Sequence, residues 1–132
     1  MAERKTTKNA ANVDDFIKRV ENETRRKDSQ AVVKLMKAAA RKPPQMWGPS
    51  IVGFGTHRYS LANGREAEIC KIGFSPRKQS LVFYLGNFDG RAALLRKLGK
   101  HKMSRGGCLY INKLDDVDVT VLDTLIGQAW RA

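Results

Sequence analysis

Val13, Phe16, Ile17 and Val20 recur at i, i+3, i+4 and i+7, a spacing that sets four apolar side chains on one face of a helix. Asn12 precedes them as the expected N-cap, and Asp14 and Asp15 suit the positive end of the helix dipole. Glu21 to Lys27 reads as a charged link. A second helix follows, with Val32, Leu35, Met36 and Ala39 on one face; Asp28 or Ser29 is the expected cap, and Pro43-Pro44 ends it.

Beyond the prolines the period changes to two. Residues 50–55 and 56–61 read as short strands, and Asn63-Gly64 carries a hairpin signal. The returning strand runs from Glu66 to Phe74, Ser75 to Lys78 makes the next turn, and Ser80 to Leu85 the next strand. In that strand Leu81, Phe83 and Leu85 point one way while Val82 and Tyr84 point the other, so both faces need cover. Asp89 is the expected cap of a short helix through Leu94, Leu95 and Leu98, closed by Gly99. Cys108 to Ile111 is a last short strand. Asp115, Asp116 and Asp118 introduce a final helix whose face is Leu122, Leu125, Ile126 and Ala129, with Trp130 beside it.

Helices, then an antiparallel meander, then helices again predict an α+β domain. Its sheet would have about five strands, with N-terminal, middle and C-terminal helices packed on it. Residues 1–11 are polar and basic, the expected flexible lead-in, and residues 12–132 form the single domain. Between helical and strand-like sequence lies Gln45 to Gly55, which mixes Trp47 with Gly48, Pro49, Gly53 and Gly55. Such a run is a packed elbow or the wall of a pocket, and the residues favour the elbow.

The chain has 132 residues, enough for one domain that needs neither disulfide nor metal to fold. Two cysteines, Cys70 and Cys108, make no framework and read as reduced thiols. The first residues carry no apolar signal-like run, and no stretch approaches the ~20 apolar residues of a membrane span. The expected location is therefore cytoplasmic. Charge changes the picture more: Lys and Arg number 25 against 13 Asp and Glu, a net +12. That balance attracts polyanions, so non-specific nucleic-acid binding stays open alongside a solvated basic surface.

Most catalytic signatures are missing. Cys70, Cys108, His57 and His101 are a conceivable but weakly spaced zinc set, and Cys108 with His101 is a possible thiol–imidazole pair flanking one loop. Gly53-Phe54-Gly55 lacks the third glycine of a dinucleotide loop, since Arg58 stands there, and strand rather than helix follows. No P-loop or aromatic RNA-recognition signature occurs. What survives is a basic set around loops. Arg77 and Lys78 share one turn, Lys100, His101, Lys102 and Arg105 share another before Gly106-Gly107, and Lys113 follows the last strand. Glycine-rich backbone beside cations is an expected anion nest, with Arg offering a fork and Lys a point charge.

Several of these segments fall in a familiar order. Val13-Asp14-Asp15-Phe16, Met46 through Gly55, Gly73 through Lys78, Leu98 through Lys102, Cys108 through Ile111 and Lys113 through Asp118 together resemble the YdhG-like family of small bacterial proteins, from about residue 5 to 130. The resemblance implies a compact α+β domain of bacterial origin without an assigned function. Some members are labelled frataxin-like iron chaperones. Carried over, that label implies iron held by carboxylates, either Asp14, Asp15, Glu21 and Glu23 or Asp115, Asp116 and Asp118, against a net charge that repels Fe²⁺. The same motifs suggest an apolar cleft lined by Trp47, Tyr59, Tyr84 and Tyr110, with Arg77, Lys78, Lys100, His101 and Lys102 at its polar end.

The expected protein is a binding module rather than an enzyme, with no cofactor. Its partner is a small anionic ligand or an acidic protein. Iron handling and nucleic-acid binding are the alternatives, and a homodimer would cover the second sheet face.

Overall fold

The computed structural model describes residues 8, 9 and 11–132, so most of the predicted lead-in, residues 1–7 and 10, lies outside the described residues. Lys8–Asn9 nevertheless form a strand, β1, which draws the sheet into what the sequence marks as a lead-in. Helix α1 (Val13–Lys18) starts as predicted: the Asn12 side-chain oxygen accepts from the Asp15 N–H at 3.0 Å, and Val13 and Ile17 are buried.

Helix α2 (Glu23–Ala40) begins earlier than expected. Asn22, not Asp28 or Ser29, caps it by accepting from the Arg25 N–H at 2.8 Å. The charged link is therefore mostly helix: Glu23 and Lys27 pair at 3.0 Å across one turn, an i,i+4 arrangement that favours helix where no apolar stripe does. The buried face runs Arg25, Ser29, Val32, Met36, Ala40, so the apolar stripe continues upstream into polar residues. The helix ends at Arg41, in the left-handed region at φ 55°, two residues before Pro43.

The sheet holds seven strands rather than about five. Strands β2 (Gln45–Trp47) and β3 (Ile51–Phe54) form a hairpin around Gly48 and Pro49, so that stretch is an elbow, and its Met46, Gly48 and Pro49 also line a cleft of about 610 Å³ beside α1. Strands β4 (His57–Ser60) and β5 (Glu66–Ile69) pair only with each other and stand as a separate two-stranded arm. The predicted returning strand thus breaks at Cys70-Lys71 before β6 (Ile72–Pro76) joins β3. In the arm's loop the Gly64 N–H donates to the Leu61 carbonyl at 3.0 Å and Gly64 takes φ 81°, while Asn63 keeps a negative φ. With the Leu61 N–H donating to the Arg65 carbonyl at 2.7 Å, this is a three-residue loop closed by a left-handed glycine rather than a two-residue Asn-Gly turn.

Strand β7 (Leu81–Tyr84) pairs with β6 after the tight turn Arg77–Ser80. Helix α3 (Arg91–Leu98) starts at Gly90, with no side-chain cap, so Asp89 does not cap it. Strands β8 (Lys102–Met103) and β9 (Leu109–Ile111) complete an antiparallel sheet in the order β1-β2-β3-β6-β7-β9-β8. A 3-10 turn, Leu114–Asp116, leads into α4 (Val119–Arg131), capped by Asp118 and burying Leu122, Leu125, Ile126 and Ala129 as predicted. The fold is α+β, an antiparallel sheet flanked by helices.

One face of the sheet, with Met46, Val52, Phe54, Ile72, Phe74, Leu81, Phe83 and Ile111, joins Val32, Met36, Leu122, Leu125 and Ile126 in the core. Paired residues of an antiparallel ladder share a face, so Ser75, Val82, Tyr110 and Lys102 form a row on the opposite side. Next to it runs Gly53, Gly73 and Tyr84. Part of that side is covered internally. Cys70 lies over the two glycines so closely that a Cβ on either would sit 2.8 Å from its Sγ. Among the described residues no helix is long and apolar enough to cross a membrane.

Candidate functional site

Sheet register brings the basic loop to the β6–β7 turn. Ser80 and Asn112 continue the alternation of Val82 and Tyr110 past the strand ends, so all four belong to the face turned away from the helical core. Beside them β8 carries Lys102 opposite Tyr110. The result is a cleft of about 580 Å³ lined by Gln79, Ser80, Lys100, His101, Lys102, Met103, Ser104, Tyr110 and Asn112. Its size falls within the usual range for small-molecule sites.

The groups in it have defined roles. The His101 Nδ1 lies 2.7 Å from the Gly99 carbonyl, which only accepts, so Nδ1 carries the proton and Nε2 is left for a ligand. Lys100 is anchored through its backbone N–H, which donates to the Asp116 carbonyl at 3.2 Å, leaving its ammonium uncommitted by that bond. Among the described residues, none of Arg77, Lys78, Lys100, Lys102, Arg105 and Lys113 forms an ion pair. Two cations and an imidazole, with two hydroxyls and two amides, can hold an anion's oxygens while Tyr110 and Met103 offer apolar contact.

The structure gathers only part of the predicted set. Lys100, His101, Lys102 and Tyr110 come together; Arg77 and Lys78 line a different cleft, of about 460 Å³, on the helix α1 side of the same turn. Arg105 and Lys113 are exposed and line neither. The four aromatics do not share a cleft. Trp47 is 1% exposed, packed against Gly53, with no partner for its Nε1 among the described residues. Tyr59 lies on the separate arm, 41% exposed and stacked on His57 at 6.2 Å. Tyr84 accepts from Arg77 Nη2 at 3.1 Å, and burial raises its pKa above the ordinary phenol value despite that cation. The predicted glycine nest is closed: Ser104 accepts from the Gly107 N–H at 3.1 Å through its carbonyl and from the Cys108 N–H at 3.1 Å through Oγ.

Other candidates separate as well. Asp118 caps α4, accepting from the Thr120 and Val121 N–H groups at 2.9 and 3.3 Å. Among the described residues no three His, Cys, Asp or Glu side chains gather in a way that could hold a metal, which covers the aspartates near residue 116 and the cysteine–histidine set. His101 and Cys108 make no hydrogen bond to each other. Cys70 is buried, and desolvation pushes its thiol up to about 12.

Sequence reasoning missed Arg25, which organises this end of the molecule. Only 8% exposed, it donates through Nη1 to the Arg77 and Lys78 carbonyls at 2.6 and 2.8 Å. Through Nη2 it donates to the Asn112 carbonyl and Oδ1 at 3.0 and 3.1 Å. It thus fixes both the turn and an amide of the cleft. The only signal was its register with Ser29, Val32 and Met36. Gln79, Ser80 and Asn112 were missed because register, not local sequence, delivers them, and Met103 and Ser104 because their uncharged side chains carried no signal beside the lysines. No family model, no curated protein and no solved structure matches the chain.

Proposed function

We propose that this protein is a binding module for a small anion, held in the cleft between the Arg77–Ser80 turn, β8 and β9. The observation that carries the reading is the convergence of Lys100, His101, Lys102 and Tyr110 in one cleft whose lysines form no ion pairs among the described residues. Lysines supply point charges, Ser80, Ser104, Gln79 and Asn112 supply directional bonds, and Tyr110 with Met103 accommodates an apolar or planar portion of the ligand. The motif order that resembles the YdhG-like family is compatible with such a domain and names no ligand.

The test is calorimetric titration with inorganic phosphate and with adenosine monophosphate, at low and moderate salt, on the wild type and a Lys100→Glu/Lys102→Glu variant. Saturable binding of either probe that falls at least about tenfold in the variant is the expected result, because charge-assisted bonds carry the affinity. Binding of neither, or equal binding by the variant, overturns the reading. Duplex DNA and Fe²⁺, run as parallel probes, test the two alternatives from the sequence. Tight binding of DNA with a steep salt dependence while phosphate fails would transfer the function to a nucleic-acid surface.

A further inference from the structure

We infer that the cleft on the other side of the turn, over Arg25, is a second oxyanion site, taking a carboxylate or phosphate group. The Arg25 guanidinium has no ion-pair partner among the described residues. Arg25 is 8% exposed, and its four side-chain hydrogen bonds among the described residues all go to neutral acceptors, three carbonyls and the Asn112 amide oxygen. Its Nε has no partner among the described residues. Both acids of its helix are engaged elsewhere: Glu23 pairs with Lys27 at 3.0 Å, and Asp28 accepts the Leu114 N–H at 3.0 Å. A buried cation without a counter-ion is a costly arrangement that an anion beside it relieves.

The space for that anion exists. Arg25 lines a cleft of about 460 Å³ together with Arg19 and Lys78, neither of which forms an ion pair among the described residues. Phe16 and Val20 provide an apolar wall, and Glu21 is the single acid in the lining. The start of α2 adds its own field: Asn22 caps the helix and lines the cleft. The Glu23 and Thr24 N–H groups have no helical acceptor. An oxyanion there would meet the Arg19 and Lys78 side chains and the start of α2, with the buried charge of Arg25 beside it. This site is separate from the Lys100–Lys102 cleft, although Asn112 touches both through Arg25.

The experiment is a ¹H–¹⁵N titration of the full chain with inorganic phosphate at constant ionic strength. Arg25 is left intact, because removing it would release the turn. Saturable shifts of the Glu23 and Thr24 amides and of the Arg25 Nε–H signal are expected. An Arg19→Glu/Lys78→Glu variant, altered at two exposed positions, should weaken that response about tenfold while the Lys100 and Lys102 amides respond as in the wild type. The same spectrum reports whether the variant is folded. Non-saturating shifts at residues 22–25, or an unchanged response in the variant, overturn this proposal. Response at Lys100 and Lys102 alone also overturns it while leaving the first site standing, and response at residues 22–25 alone supports it while removing the first.

Discussion

Cys70 lies where two strands have given up their side chains. Gly53 and Gly73 face it across the ladder, and a Cβ on Gly53 would also come within 2.5 Å of Trp47 Cδ1. The glycines are needed for space, not for a left-handed φ, since neither has one. Burial raises the thiol from 9.0 to about 12 by desolvating the thiolate. In the folded state the group keeps its proton where the unfolded chain loses it. Its contribution is therefore fully present below pH 9 and is lost as pH rises from about 9 to about 12, amounting to at most about 4 kcal/mol. Tyr84, also raised by burial, adds to the same alkaline loss, so the comparison must be differential. Denaturant midpoints measured from pH 8 to 11 should fall more steeply for the wild type than for Cys70→Ala. Parallel curves would mean that the thiol is not held neutral by its surroundings.

At the scale of elements, α2 shows how much of the fold was legible. Its apolar stripe from Val32 to Ala39 was plain, because 3.6-residue periodicity is local. Its first turn and a half was not. Residues 23–27 are all charged or polar, and their buried member, Arg25, earns its place through bonds to residues 52 to 87 positions away. The cap followed the same rule: Asp28 looked like a cap but serves the Leu114 N–H, while Asn22 caps. These roles separate experimentally. Asn22→Ala should cost about 1 kcal/mol and leave hydrogen exchange at Leu114 unchanged. Asp28→Ala should expose the Leu114 amide to faster exchange with little effect on the first turn of α2. Loss of Leu114 protection in both variants would show that the helix start and the 3-10 turn act as one unit. The candidate site divided likewise: the run Lys100-His101-Lys102 was visible as sequence, whereas Ser80 and Asn112 reach it only through pairing of β7 with β9.

For the molecule as a whole, the excess of positive charge is a property of the folded state as much as of any ligand. Net charge is +12, yet the ion pairs formed among the described residues, Glu23–Lys27 and Arg58–Glu68, are both on the surface. Exposed pairs contribute roughly 0 to 1 kcal/mol each, too little to offset repulsion among two dozen cations confined to a small sphere. Screening should therefore stabilise this protein, in contrast to one held by surface pairs, which screening weakens. Raising sodium chloride from about 10 mM to about 150 mM shortens the Debye length from about 30 Å to about 8 Å, enough to mute repulsion across the molecule. A gain of about 1 kcal/mol corresponds to a rise in melting temperature of roughly 3–6 °C for a domain of this size. Sodium phosphate at matched ionic strength separates general screening from site binding. If either basic cleft holds an anion, phosphate should raise the midpoint further than chloride, with a saturable dependence on its concentration. A melting temperature that falls with chloride would mean that attraction between paired charges outweighs the repulsion inferred from the composition. Equal curves for the two salts would leave the repulsion in place and remove both anion sites.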